Sequence, residues 1–361
     1  SLSVLADDQS DAAAETSAAA GGLLAVGVNT SAASVERIIK AELAAESIVT
    51  VTGDVRVKAV AAVSGSADTV GISKGAVAVG SSEARVVLKP TVLSSVGKLV
   101  TIITDGHVTI DAILSKNDGT AESKGSSGSL FGFTYTGAYQ DVTVDVSATV
   151  GDYAKITGGT GIDVWSKAGT NLTKTLADVS AISGIAGQDA EAIETVYTSA
   201  YTELGLGTQL ISPVGVVNLT SENEVATKPT ADTFFAGGGA GSNALASTTV
   251  SGINKDGGNI PLAKVTLGGD ITADQLVVKA KVSKLTVDSQ AIADQYAAGG
   301  VAVTKSLVDI DSQTAINQGV DSHISANKVT FTSRHDGLDI FSFGDSEGFG
   351  LLPLHAGTVD N

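Results

Sequence analysis

The sequence predicts an all-β chain wound as a parallel β-helix, or β-solenoid, on three observations. A strand-like phrase, Gly53-Asp54-Val55-Arg56-Val57-Lys58-Ala59, returns five more times; its phase marks Val55, Val108, Ile162, Val217, Leu276 and Val329 are 53, 54, 55, 59 and 53 residues apart. The position four after each mark is always small: Ala59, Ala112, Ser166, Ser221, Ala280 and Ser333. Charged residues make up 17% of the chain against a usual ~25%, and the small and β-branched residues that dominate it suit densely stacked strands. A recurrence of this kind marks a body that grows by stacking, so the 361 residues are expected to form one elongated solenoid.

Six repeats of about 54 residues are expected, at 22–74, 75–127, 128–186, 187–240, 241–299 and 300–349, with partial repeats at 1–21 and 350–361. Each opens at a glycine (Gly22, Gly75, Gly128, Gly187, Gly241, Gly300), and Gly350 begins a seventh. A first strand follows, as in Ala76-Val77-Ala78-Val79, then a second apolar patch such as Arg85-Val86-Val87-Leu88, a turn, and the marked strand. The repeat closes on a tail rich in Ser, Thr, Asp and Ala. Alternation of period two in Val142, Val144 and Val146 is the signature of a half-buried strand. Residues 34–45 and 190–201 also fit helical spacing, but strand is expected at both because the other repeats read as strand there. The five prolines all avoid the marked strands, as a fully paired ladder requires.

Three strands of ~5 residues with their turns need ~20 to 25 residues, so two coils per repeat are expected, and a rod of roughly 65 to 85 Å. The longest step, across Thr230 to Gly258 with its glycines at 237–239 and 241, is expected to hold an inserted surface loop.

The net charge of −17 argues against a nucleic acid or an anionic lipid surface as partner. Cysteine is absent, which excludes disulfides and thiolate metal sites. Methionine is absent too, so a chain starting Ser1-Leu2-Ser3 reads as a processed product or a piece of something longer. No apolar run reaches the ~18 residues of a membrane helix. The stretch Ala18 to Val28 is too short for a span and lacks the basic flank of a signal peptide.

The order of small tail, Gly-Gly-hydrophobic segment, Ser/Thr/Ala segment and marked strand resembles the repeats of large bacterial filamentous adhesins, the filamentous haemagglutinin-like and leukotoxin-type filamentous adhesins. Gly21 to Ala33, Gly75 to Leu88 and Asp141 to Gly187 carry the likeness best. The resemblance implies a right-handed parallel β-helix, extracellular or cell-surface placement, and an adhesive or structural role without catalysis. It transfers no binding residue, because its motif positions are scaffold.

No catalytic, cofactor-binding or metal-binding residue is assigned. The nine residues Gly158 to Ser166 fit the calcium-binding nonapeptide GGxGxDxUx, with Asp163 as its acid, but neither flanking nonapeptide repeats it. A calcium-stiffened module is therefore an alternative reading; an ordinary glycine turn before a strand is the simpler one. A carbohydrate-active enzyme is a second alternative, since such β-helices line up carboxylates on neighbouring coils. Here Asp163 is matched at its phase by Arg56, Thr109, Asn218, Val277 and Thr330, so the phase is not acidic. The acids gather instead at Asp7, Asp8 and Asp11, at Glu191 and Glu194, and at Glu222 and Glu224, where solvated turns are expected. His107, His323, His335 and His355 show no ligand spacing, and the sequons at Asn29, Asn171 and Asn218 matter only in a eukaryotic secretory route. Core filling is expected for Phe131, Phe133, Tyr135 and Tyr139 and for Phe341, Phe343 and Phe349; the alternative is an outward aromatic patch that binds glycan or another rod. Because residues 1–21 read as a repeat tail and Gly350-Leu351-Leu352 restarts the phrase, head-to-tail association into a fibre is expected, with a fragment of a longer adhesin as the competing explanation.

Overall fold

A computed structural model describes all residues except 170–172, 254–260, 320–321, 351 and 361, and the side chains of 352, 353, 355 and 360 are likewise outside the description. Among the described residues there is no helix, and the chain is all β: β1 (Leu2–Leu43), β2 (Ile48–Val51), β3 (Val55–Val96), β4 (Thr101–Thr104), β5 (His107–Val150), β6 (Lys155–Gly158), β7 (Gly161–Gly169), β8 (Thr173–Leu204), β9 (Gln209–Ser251), β10 (Ala263–Leu267), β11 (Asp270–Ile310), β12 (Thr314–Gln318), β13 (Ile324–His335), β14 (Leu338–Phe349) and β15 (Leu352–Asp360). Both segments with helical spacing are strand: 34–45 falls largely in β1, and 190–201 lies in β8.

Every pairing is parallel, and the phase marks form one ladder. Leu2 lies beside Val55, Val55 beside Val108, Val108 beside Ile162, Ile162 beside Val217, Val217 beside Leu276, and Leu276 beside Val329. Partners on this ladder are therefore one full repeat apart in sequence. That corrects the expectation of two coils per repeat: one repeat is one coil. Six steps of ~4.8 Å give a stack of roughly 30 Å, less than half the height expected.

The missing turns explain the long coil. In the second coil the chain runs out along Val55 to Lys74, reverses at Gly75-Ala76-Val77, and returns along Ala78 to Val96. The two arms face each other directly. Ser94 Oγ donates to the Val57 carbonyl at 2.7 Å, Thr69 Oγ1 to the Glu83 carbonyl at 2.9 Å, and Ser73 Oγ to the Val79 carbonyl at 3.4 Å, so successive contacts close on the reversal. An arm of 20 residues at ~3.3 Å per residue is roughly 65 Å long, so the body is a flattened wedge rather than a narrow rod. The wide end is closed by short base strands such as β4.

Side-chain size follows the taper. At the wide end Val55, Val57, Val63, Leu88, Val92 and Val96 point inward and are buried; near the reversal the inward positions hold Thr69, Ser73, Ala78 and Ser82. A Cβ on Gly125 would stand 2.6 Å from Thr136 Cγ2 of the facing arm, which shows how close the arms come there. The tail rich in small residues is thus the narrow half of the core. Phe235 is the exception: fully buried near the reversal, it is accommodated by Ala181, Ala186 and Ala297.

The corner between return arm and base uses the same device on four coils. Glu46, Leu99, Tyr153 and Gly207 all have left-handed backbone, with φ of 63°, 58°, 56° and 63°. Only one of these is glycine, so three corners hold residues for which that conformation is strained.

Two further expectations are corrected. Residues 230–251 form no loop: they belong to β9, in register with β8 and β11, and the extra length falls between Ser251 and Ala263, of which 254–260 lie outside the described residues. The phenylalanines of the two expected aromatic sets do not fill the core. Phe131, Phe133, Phe341, Phe343 and Phe349 are exposed, because each lies at an outward position of the two-residue alternation. Phe341 and Phe343 stack at 6.0 Å, and Phe349 stacks on Tyr296 of the preceding coil at 5.2 Å.

Candidate functional site

Residues one, three and five after each phase mark point outward, and the ladder brings them into lines across the coils. The first line contains Thr109, Asp163 and Asn218. The second contains Asp111, Trp165, Thr220, Lys279 and Thr332. Glu222, Lys281 and Arg334 stand in the third. Together they line a groove of about 670 Å³. Its hollow has a simple origin: short Thr220 stands between Trp165 and Lys279.

One end of the groove is acidic. Asp163 Oδ2 is 2.9 Å from His107 Nε2, and its Oδ1 accepts from Asn218 Nδ2 at 2.7 Å. Burial raises the Asp111 carboxyl to about 6; nearby Asp163 adds to the rise, and Lys58 and His107 oppose it. The other end is basic. Arg334 and Lys281 share Asp336 at 3.0 and 3.4 Å, while Lys279 makes no ion pair among the described residues.

The nonapeptide motif is divided between elements: Gly158 ends β6, Gly159 and Thr160 make a corner, and Gly161 to Ser166 lie in β7. Both oxygens of its Asp163 are engaged by adjacent coils, and no group of three or more His, Asp or Glu suited to a metal is found among the described residues. His107 contacts the groove residue Asp163, His323 lies 3.3 Å from Asp270, and His335 Nδ1 is 3.2 Å from Ser312 Oγ. The His355 side chain and the Asn171 sequon lie outside the described residues. Asn29 is buried and donates to the Val70 carbonyl at 2.8 Å, whereas Asn218 lines the groove.

Among the acid clusters, Glu191 accepts from Tyr135 and Tyr139 at 3.0 and 2.9 Å. Glu194 overturns the solvated-turn expectation: it is fully buried, and burial raises its carboxyl to about 8 against hydrogen bonds from Thr175, Thr173 and the Lys228 amide. Its sequence signal was present, for Ala190, Ala192, Glu194 and Val196 share one parity and that parity is the core.

A second surface lies beside the reversal. Leu24, Val77, Phe131 and Ile185 stand in one line across four coils, 68, 40, 55 and 58% exposed. Val26, Val79 and Phe133 form the parallel line two residues on.

No helix among the described residues is long and apolar enough to cross a membrane. Comparison of the chain with protein-family models, with curated proteins and with solved structures finds no match.

Proposed function

We propose that the chain is a non-enzymatic, extracellular β-solenoid of right-handed winding whose work is structural and adhesive. The observation that carries this reading is the ladder from Leu2 to Val329, in which the phase-mark residue of each coil pairs in parallel with that of the next. Such a stack is stiff and leaves whole sheet faces free for display. The exposed apolar lines beside the reversal and the groove over Thr220 are the features available for contact with other surfaces. A second copy of the chain, placed head to tail so that its first coil pairs with an open end rung, is the partner this reading names.

Electron microscopy of the purified chain tests the structural half: wedges or fibres of uniform width are expected, and irregular globules overturn it. Beads coated with the chain test the adhesive half by their retention on epithelial cells against beads coated with albumin. Equal retention removes it. The groove favours a second reading, a carbohydrate-active enzyme, because Asp111 and Asp163 face it from adjacent coils. Polysaccharide turnover that is lost in Asp111→Asn would establish that reading in place of the first.

A further inference from the structure

We propose that the groove over Thr220 binds an oligosaccharide bearing a carboxylate, with a sugar ring against Trp165 and the carboxylate at Lys279. The shape comes from one short side chain. Trp165, Thr220 and Lys279 occupy the same line on three successive coils, so indole and ammonium arise from strands roughly 10 Å apart with a hollow between them. The groove continues from Asp111 to Arg334 across five coils, roughly 19 Å, which suits a chain of rings better than a single small molecule.

The lining selects the chemistry. A pocket for an apolar ligand is lined mostly by hydrophobic side chains, whereas Trp165 and Val164 are the apolar members here. The remainder are hydroxyls, an amide, carboxylates and cations. A sugar ring presents one apolar C–H face, which the indole covers, and a rim of hydroxyls. Those donate to Asp111 and Glu222 and accept from Thr220. An extended peptide is less suited, because peptides dock by adding to an open strand edge, and the backbone under Trp165, Thr220 and Lys279 is already paired on both sides.

Charge places the carboxylate. Lys281 and Arg334 already share Asp336, while Lys279 makes no ion pair among the described residues. In a chain of net charge −17 a cation without an ion pair, across the hollow from Trp165, is a local anchor for an anion.

The inference extends the adhesive reading to a ligand class, and a test at the groove leaves the microscopy of the stack unaffected. Trp165 is the only tryptophan in the chain, so its fluorescence reports the groove alone. The full chain is titrated with tetragalacturonate, with the uncharged galactose tetramer, and with an acetylated tetra-aspartate peptide. Tetragalacturonate is expected to change the emission saturably, to bind at least ~5-fold tighter than the neutral tetramer, and the peptide to have no effect. Lys279→Ala is expected to remove that advantage without weakening the neutral tetramer, and Thr220→Phe to abolish both responses by filling the hollow. Both side chains point outward, and an unchanged melting temperature checks that the variants fold. No saturable change with either saccharide at millimolar concentration overturns the proposal, as does an equal response to the peptide or equal weakening of both saccharides by Lys279→Ala.

Discussion

Replacing Glu194 with glutamine is expected to remove the largest single contribution to a fall in stability between mildly acidic and mildly alkaline pH. Glu194 lies between Gln140 and Thr248 on its rung line, and Thr175 and Thr173 face it from the opposite arm at 2.7 and 3.3 Å. The Lys228 amide donates to it at 3.1 Å. These three donors favour the carboxylate, but burial outweighs them and the group titrates near 8 in the fold against 4.5 as a free side chain. The folded state therefore holds the proton more tightly than the unfolded state. Stability is complete below pH 4.5, declines as pH rises toward 8, and levels off above it. At about 1.4 kcal/mol per pH unit the whole decline is roughly 5 kcal/mol, of which roughly 4 falls between pH 5 and 8. Glutamine has no proton to lose, and it keeps one oxygen for the Lys228 amide while its amide group turns to Thr175 Oγ1. The cost of the altered hydrogen bonding is about 1 kcal/mol at pH 5. Urea unfolding of both proteins at pH 5, 6, 7 and 8 should show wild type the more stable at pH 5 and Glu194→Gln the more stable at pH 8. Asp111 and Asp232, each raised to about 6 by burial, contribute alike to both proteins and cancel in the difference. A difference that stays constant within ~1 kcal/mol from pH 5 to 8 would mean that Glu194 is charged in the fold, and the argument from burial would fail.

Phe235→Ala leaves a cavity among Ala181, Ala186 and Ala297, residues too small to fill it, and should cost about 3 to 5 kcal/mol in denaturant unfolding. Leu99→Gly removes a left-handed strain of φ 58° at a half-exposed corner, and a rise in stability of about 1 kcal/mol is expected; a loss would show that the Leu99 side chain matters more than its backbone. Calcium at millimolar concentration should leave the melting temperature unchanged, because His107 and Asn218 already engage both oxygens of Asp163; a rise that Asp163→Asn abolishes would restore the calcium reading.

Period-two alternation and the recurring phase mark were enough to set the secondary structure and the ladder. Val55, Val108, Ile162, Val217, Leu276 and Val329 do stack, because a parallel ladder with one buried face tolerates no slip of a single residue without turning that face outward. The same register, read three residues past the mark, already contained Asp111, Trp165, Thr220, Lys279 and Thr332 in one line. The hollow among them depends on side-chain heights across coils, which no single repeat displays. Coil length was decided by tertiary structure alone: alternation says which face is buried but not how far a strand runs before it bends. The arms run some 20 residues because each packs on the other, large residues at the wide end and Ser, Thr, Ala and Gly where they converge. For the same reason Glu194, which reads as a surface acid by its residue type, stands inside, and Phe131 and Phe133, which read as core by theirs, stand outside. Position along the alternation, enforced by pairing on both sides, overrides the preference of the side chain.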